Sequence, residues 1–192
     1  PRLRGHRGSV TRVVYVDTAT LASAGRDGVI HLWDVGSEAG IQATLRGHTD
    51  AILDLAISPD GGTLASAGGW DRTVRIWDLK HGGAQPQDQA RWTLTGHTAQ
   101  ITCVGFGAGS AAVGSGSWDE TARIWDLQRG HELMQFSHQG ETVRPISTLD
   151  LDARGELLAT GDWQGTISLW QIGSRSLLAM LDHPQVQNVP VA

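Results

Sequence analysis

A chain of 192 residues with a formal net charge of −5 has room for one sizeable domain or two small ones, and its acidic balance argues against a broad surface for nucleic acid or anionic membrane. Its single cysteine, Cys103, excludes an internal disulfide framework and fits a reducing compartment. The sequence has no run of about 18 apolar residues that could span a bilayer, and its first residues, PRLRGH, lack the apolar stretch of a signal peptide. We therefore expect a cytoplasmic location. We also expect the N-terminus to be truncated, because it has no initiator Met.

Four segments of the chain share one pattern, which becomes visible when each is aligned on a tryptophan. These are Trp33, Trp77, Trp125 and Trp170, and subtraction of their residue numbers gives steps of 44, 48 and 45 residues. Short alternating apolar runs broken by Gly, Asp and Pro predict antiparallel strands within each segment. In the second segment we expect strands at residues 52–57, 63–67, 73–78 and 90–95, with a tight turn at SPDGG. No helical periodicity is present.

Recurrent motifs mark the same places in the segments. A Gly-His pair opens the first three, SPDG follows in the second, LAS stands in the second predicted strand of the first two, and RIWD or a similar sequence closes the third strand. These motifs resemble the WD-repeat β-propeller family over nearly the whole chain, and each segment has the length of one four-stranded blade.

The resemblance implies an all-β fold with four consecutive four-stranded antiparallel blades. We place them at residues 5–45, 46–95, 96–136 and 137–181, with residues 182–192 beginning a further blade. We expect an open arc or a fragment of a larger ring of about seven blades. Pairing of two arcs into one ring and a forced four-blade closure are the alternatives.

Within each blade, the resemblance assigns a His, a Ser or Thr, an Asp and a Trp to one hydrogen-bonded network. The residues assigned in the four blades are His6, Ser23, Asp27 and Trp33; His48, Ser66, Asp71 and Trp77; His97, Asp119 and Trp125; and His138, Thr160 and Trp170. In the third blade Gly114 falls where the hydroxyl is expected, unless Ser115 takes its place. In the fourth, Gln164 replaces the aspartate. We therefore expect the third and fourth blades to be looser.

A second set of tryptophans precedes the turn aspartates or their replacement. In this family that position lies at the top face, so we expect a partner-binding surface there. Its predicted residues are Arg26, Trp70, Trp118 and Trp163, with Leu53, Gln100 and Thr102 on the loops that enter the blades, and less strongly Ser9, Thr11 and Ala51. Glu141 and Arg144 extend it beside Trp163. The alternative is that each turn tryptophan lies flat on its own blade.

Catalysis, cofactors and metals are not expected. The network histidines belong to separate blades, His81, His131 and His183 lack partners at metal-ligand spacing, and no nucleophile-elbow, P-loop or H-E-x-x-H motif occurs. Cys103 is expected to be an inert buried thiol, and Trp92 a structural residue of an outer strand.

These observations predict a non-catalytic interaction scaffold that docks a partner peptide or loop on the top face. The expected partners are protein or peptide, together with the remaining blades of the same propeller or a second copy, and neither nucleic acid nor membrane. The alternative is a sensory or regulatory region of a larger signalling enzyme, an ATPase or kinase, whose catalytic part lies outside this chain. The full reading frame discriminates between the two.

Overall fold

A computed structural model describes residues 3–36, 40–79, 90–137 and 144–181. Sixteen strands account for most of the described chain. They are β1 (Val10–Tyr15), β2 (Thr20–Gly25), β3 (Ile30–Asp34), β4 (Gly40–Leu45), β5 (Ile52–Ile57), β6 (Thr63–Gly68), β7 (Thr73–Asp78), β8 (Trp92–Thr95), β9 (Ile101–Phe106), β10 (Ala112–Ser117), β11 (Thr121–Asp126), β12 (His131–Ser137), β13 (Ile146–Leu151), β14 (Leu157–Asp162), β15 (Ile167–Gln171) and β16 (Ser176–Leu181). The one helical element described is a 3₁₀ turn at Ala108–Ser110.

The strands form four sheets, each a meander of four consecutive antiparallel strands: β1–β4, β5–β8, β9–β12 and β13–β16. The all-β prediction is therefore confirmed, and β8 begins at Trp92, two residues later than expected. Among the described residues, no helix is both long and apolar enough to span a bilayer. The predicted residues 182–192 of a further blade lie outside the described part of the chain.

Local turn chemistry explains where strands end. Between β5 and β6 the Ser58 hydroxyl donates to Asp60 at 2.6 Å, and the backbone N–H of Gly61 donates to the Ser58 carbonyl at 2.8 Å. Gly61 has φ of +69°, a conformation that costs glycine little. The chain thereby reverses within a few residues and brings Thr63 back beside Ser58.

Adjacent sheets pack face to face, and their apolar residues form the core. Between the first two sheets, Ala22, Ala24 and Ile30 cluster with Ile52 and Leu55. The small alanines let the sheets approach closely, and β1, β5, β9 and β13 lie side by side along the inner edge. This is the arrangement of consecutive propeller blades. The four sheets do not close into a ring, and apolar residues of the first and fourth sheets face solvent.

Candidate functional site

The second blade shows how the bracing network is built. The indole N–H of Trp77 donates to the Ser66 hydroxyl at 2.9 Å, that hydroxyl lies 2.7 Å from Nε2 of His48, and Nδ1 of His48 lies 2.6 Å from the Asp71 carboxylate. A single orientation satisfies every group: Ser66 donates to Nε2 and the Nδ1–H donates to Asp71. The network ties the loop before β5 to β6, β7 and the turn between them.

Ionisation of Asp71 is favoured within this network. Burial by itself raises the pKa of the carboxyl group, but hydrogen bonds from His48 and from the backbone N–H groups of Thr73 and Thr49 outweigh it. The net result lowers the pKa from its ordinary value of 3.8 to about 2. The Asp71 carboxylate is therefore negatively charged at neutral pH.

The first blade repeats these contacts. His6 lies 3.0 Å from Asp27 and 2.7 Å from the Ser23 hydroxyl, and the Trp33 indole donates to Ser23 at 2.8 Å. All four predicted residues are thus brought together.

The third blade follows the alternative that the sequence left open beside Gly114. Its hydroxyl comes from Ser115, which accepts from the Trp125 indole at 2.8 Å and lies 2.8 Å from Nε2 of His97. His97 in turn lies 2.8 Å from Asp119. The alignment was displaced because the second blade has one more residue in the turn between β6 and β7. The hydroxyl network of the third blade is complete through this alternative, which removes the reason for expecting a looser blade there.

The fourth blade uses a different carboxylate. Thr160 accepts from the Trp170 indole at 3.1 Å, as predicted from the resemblance. Asp162, two residues before Gln164, accepts from the backbone N–H of Thr166 at 2.8 Å and from the Arg144 guanidinium at 3.0 Å. Arg144 is thus engaged with the turn, whereas the sequence suggested that it projects beside Trp163. His138 and Glu141 lie outside the described residues.

The second set of tryptophans forms a continuous surface, which we call the aromatic arc: Trp70, Trp118 and Trp163. Each lies in the turn between the second and third strands of its blade, and the side chains are 62%, 42% and 67% exposed. Trp70 and Trp118 meet edge to face with ring centroids 6.3 Å apart, and Trp118 and Trp163 do so at 6.2 Å. Three indoles from three blades therefore stand side by side in solvent.

The other predicted top-face residues divide into two groups. Leu53 and Gln100 lie beside the arc, since side-chain atoms of both are 3.6 Å from the point where a Cβ on Gly69 would stand. Thr102 lies in the joint between blades, with its hydroxyl 3.0 Å from the Gly116 carbonyl and 2.6 Å from the Ile146 carbonyl.

In the first blade, Arg26 is exposed in the turn that corresponds to the tryptophan turns. Its backbone N–H donates to the Ser9 carbonyl at 2.9 Å. Thr11, by contrast, has its hydroxyl between two carbonyls, those of Ala24 and Ile52, at 3.1 and 2.5 Å.

Negative charge accompanies the arc. Asp71 and Asp119 directly follow Trp70 and Trp118, and Asp162 directly precedes Trp163. Burial raises the pKa of all three carboxyl groups, but hydrogen bonds outweigh it and lower each pKa below its ordinary value. All three carboxylates are ionised at neutral pH, but they are buried and already bonded within the protein, Asp162 to the Arg144 guanidinium and Asp71 and Asp119 to histidines.

Sequence reasoning missed His31. The side-chain atoms of His6, Asp27 and His31 that could coordinate a metal ion lie within 4.8 Å of one another. Two histidines of one blade therefore do lie close together. His31 pairs with Ser23 across β2 and β3, a register that could have indicated it. The bracing network nevertheless accounts for this group, because the same His–Asp contact recurs at His48 and Asp71 without a third ligand.

Asp54 was also missed, and it joins three blades. Its carboxylate lies 3.0 Å from the Arg12 guanidinium of the first blade and accepts from the backbone N–H of Val104 in the third at 3.0 Å. Burial raises its pKa. Its role is structural.

Two remaining predicted structural residues take their expected places. Cys103 is buried, and burial raises the pKa of its thiol to about 12, which leaves it unreactive at neutral pH. Trp92 in β8 donates to the Leu127 carbonyl of the next blade at 3.0 Å. Neither contributes to the aromatic arc.

Known proteins resemble this chain over nearly its whole length. The family profile described as "WD domain, G-beta repeat" matches residues 1–34, 40–78, 89–126 and 130–171. The chain is 29% identical over 234 aligned positions to small ribosomal subunit protein RACK1 of Caenorhabditis elegans, covering 97% of this chain and 71% of that protein. It is also 29% identical over 199 positions to guanine nucleotide-binding protein subunit beta of Solanum tuberosum, covering 97% of this chain and 50% of that protein. The chain thus spans about half the length of the second relative.

Proposed function

The chain belongs to the WD40-repeat family, and from this premise we propose that it is a non-catalytic protein-interaction scaffold that docks a partner peptide or loop on its top face. The observation that carries the proposal is the aromatic arc, because tryptophan is enriched at binding hot spots and three indoles here are exposed together. The names of the two relatives, a protein of the small ribosomal subunit and a subunit of a guanine nucleotide-binding protein, describe components of larger assemblies and support protein partners.

The chemistry of the arc favours a partner that carries Arg, Lys or Pro. An indole face attracts a cation with about 0.5–2 kcal/mol. A proline ring packs on an indole with almost no loss of side-chain conformational entropy.

The spacing of the arc favours an extended peptide. Neighbouring ring centroids are 6.3 and 6.2 Å apart, whereas alternate side chains on one face of a strand are separated by about 6.6 Å. Residues i, i+2 and i+4 of an extended segment can therefore each meet one indole. We expect the partner motif to carry Arg, Lys or Pro at alternate positions.

A pair of synthetic peptides tests this proposal. One has three arginines at alternate positions, separated by glycine and serine, and the other has the same composition with the arginines consecutive. Titration followed by fluorescence polarisation should show tighter binding of the alternating peptide, by at least about fivefold. The triple variant Trp70→Ala, Trp118→Ala, Trp163→Ala should lose at least about tenfold in affinity for it.

A control variant tests whether binding requires the arc or only exposed apolar side chains. Leu133→Ala combined with Leu178→Ala removes two exposed apolar side chains from outer strands and should leave binding unchanged. Equal binding of both peptides, or undiminished binding by the triple variant, would contradict docking on the arc.

The remaining functional statements from the sequence are still predictions. A cytoplasmic location and the absence of nucleic-acid and membrane partners stay predictions. So does the alternative that this region regulates a signalling ATPase or kinase, since catalysis would then lie outside this chain.

A further inference from the structure

The turn that carries an arc tryptophan in the second and third blades carries an arginine in the first. Arg26 directly precedes the turn aspartate of its blade, as Trp70 and Trp118 do in theirs. The backbone N–H of Arg26 donates to the Ser9 carbonyl at 2.9 Å. The N–H of Trp118 makes the equivalent contact with the Gln100 carbonyl, also at 2.9 Å. The first blade therefore presents a cation where the next two present an indole.

The turn of Arg26 lies next to the arc. It reaches the loop before β5, where the Asp50 carbonyl oxygen is 3.0 Å from the point where a Cβ on Gly28 would stand. The following residue of that loop, Ala51, accepts at 2.8 Å from the backbone N–H of Gly69, which directly precedes the first arc tryptophan. The two turns thus flank one loop, and Arg26 continues the row of arc side chains.

A second arginine accompanies it. The Cβ of Arg26 is 3.4 Å from the point where a Cβ on Gly8 would stand, and Arg7 directly precedes that glycine. Both arginine side chains belong to exposed residues. With other described residues, neither guanidinium forms a hydrogen bond or an ion pair, whereas Arg123 and Arg144 each pair with a carboxylate. We call Arg7 and Arg26 the arginine end of the top face.

Two carboxylates lie near the arginine end without bonding to either guanidinium. Asp27 lies 3.0 Å from Nδ1 of His6 and accepts from the backbone N–H of Arg7 at 2.7 Å. Asp50 accepts from the backbone N–H of Ala51. Both reduce the local positive charge, but the guanidinium N–H groups are left available to an anionic group of a partner, and hydrogen bonds of that kind are among the stronger ones.

We propose that the arginine end binds an acidic side chain of the same peptide that docks on the aromatic arc. The site then selects a peptide with glutamate or aspartate at one end and Arg, Lys or Pro at the following alternate positions. This assignment rests on the proposed function of the arc and adds the polarity of its partner. Alternate side chains of an extended segment are about 6.6 Å apart, so a residue two positions beyond the one on Trp70 reaches Arg26. A basic side chain at that position meets like charge.

Two peptides of one composition test the acidic position. Both carry three arginines at alternate positions. One has a glutamate two positions before the first arginine, and the other has it at a spacer position between two arginines. Fluorescence polarisation at low salt should show tighter binding of the first peptide by at least about threefold, and added salt should reduce the difference, because exposed charge pairs are screened.

A third peptide has the glutamate two positions after the last arginine. Whichever terminal peptide binds more tightly gives the direction in which the segment lies across the blades. The spacer peptide should bind less tightly than this better terminal peptide.

Arg26→Glu identifies the group responsible. This variant should lose the preference for terminal glutamate, because the introduced carboxylate repels it. Arg154→Glu is the matched control. It makes the same change of charge at an exposed residue in the turn between β13 and β14, at the opposite end of its sheet from the arc, and should keep the preference. Circular dichroism of both variants checks that they are folded.

The outcomes distinguish the acidic position from docking on the arc. Equal binding of the terminal and spacer peptides, or a preference that Arg26→Glu leaves intact, would overturn the acidic position, while docking on the arc stands if the triple tryptophan variant loses affinity. If the triple variant binds every peptide as tightly as the unmodified chain does, the proposed function fails, and the acidic position fails with it.

Discussion

Two rows of tryptophans run through the same repeat seven residues apart, and they have opposite environments. Trp77 and Trp125 are 1% exposed and donate their indole N–H to a serine. Trp70 and Trp118 lie in the preceding turns, well exposed, and contact one another through their rings. A single residue type thus serves as internal bracing in one row and as surface in the other.

The position of a tryptophan in the blade decides whether it is buried or exposed. The buried row is fixed by a hydroxyl on the adjacent strand and by close packing against the neighbouring sheet. The exposed row follows the end of a strand, where no neighbouring sheet covers it. We therefore expect loss of stability from changes in the first row and loss of binding from changes in the second.

The largest expected effect compares one substitution at two positions of the second blade. Trp77→Ala should lower the free energy of unfolding by about 3–5 kcal/mol, because it leaves a large cavity and removes the donor to Ser66. Trp70→Ala should lower it by no more than about 1 kcal/mol, since an exposed side chain leaves no cavity. Urea unfolding followed by circular dichroism measures both. Equal losses would remove the distinction between the rows.

A smaller effect tests the bracing of the third blade. Ser115→Ala should destabilise the protein by about 1–3 kcal/mol, because the buried indole N–H of Trp125 and Nε2 of His97 both lose their partner. Ser174→Ala, which removes a hydroxyl from an exposed turn, is the control and should change stability by less than about 0.5 kcal/mol. If Ser115→Ala is as harmless as the control, the third blade does not depend on this network.

The smallest expected effect is the contribution of Asp71, in the bracing network of the second blade, to the pH dependence of stability. The pKa of Asp71 is lower in the folded protein, about 2 against an ordinary 3.8, so its stabilisation is complete above about pH 4 and is lost as the pH falls towards 2. The free energy of unfolding should therefore decrease over this range, with about 1–2 kcal/mol due to Asp71.

Urea unfolding between about pH 5 and pH 2 measures this dependence. Asp71→Asn should reduce the slope, whereas Trp70→Ala should leave it unchanged. A slope that Asp71→Asn does not alter would show that the carboxylate is not stabilised in the folded state.

Much of the fold could be predicted from local sequence. Alternating apolar residues and the SPDGG turn predict β5 to β7 almost to the residue, because a strand's periodicity and a turn's backbone requirements are properties of short segments. The start of β8 was less well defined, since outer strands bury fewer residues and their pattern is weaker.

The candidate site was predicted unevenly for a physical reason. The position of the motifs indicated the three tryptophans of the arc. For the hydroxyl of the third blade it pointed to Gly114, with Ser115 only as the alternative. One extra residue in a turn shifts a sequence alignment but leaves the pairing of the strands unchanged. Asp162 could not be recognised as the turn acceptor of the fourth blade either. Its partner Arg144 comes from a different strand connection, so the pairing depends on the folded geometry.

The sequence by itself determined that the chain consists of four β-rich repeats, because strand alternation and turn chemistry are encoded within a few neighbouring residues. The pairing of one tryptophan in each repeat with a hydroxyl came from the resemblance to the WD-repeat family. Only the tertiary structure decided which residues meet between blades: the edge-to-face contacts of the arc and the Asp54 bridge across three sheets. These relations depend on the angle and distance between whole sheets, which arise from the packing of all their core residues together.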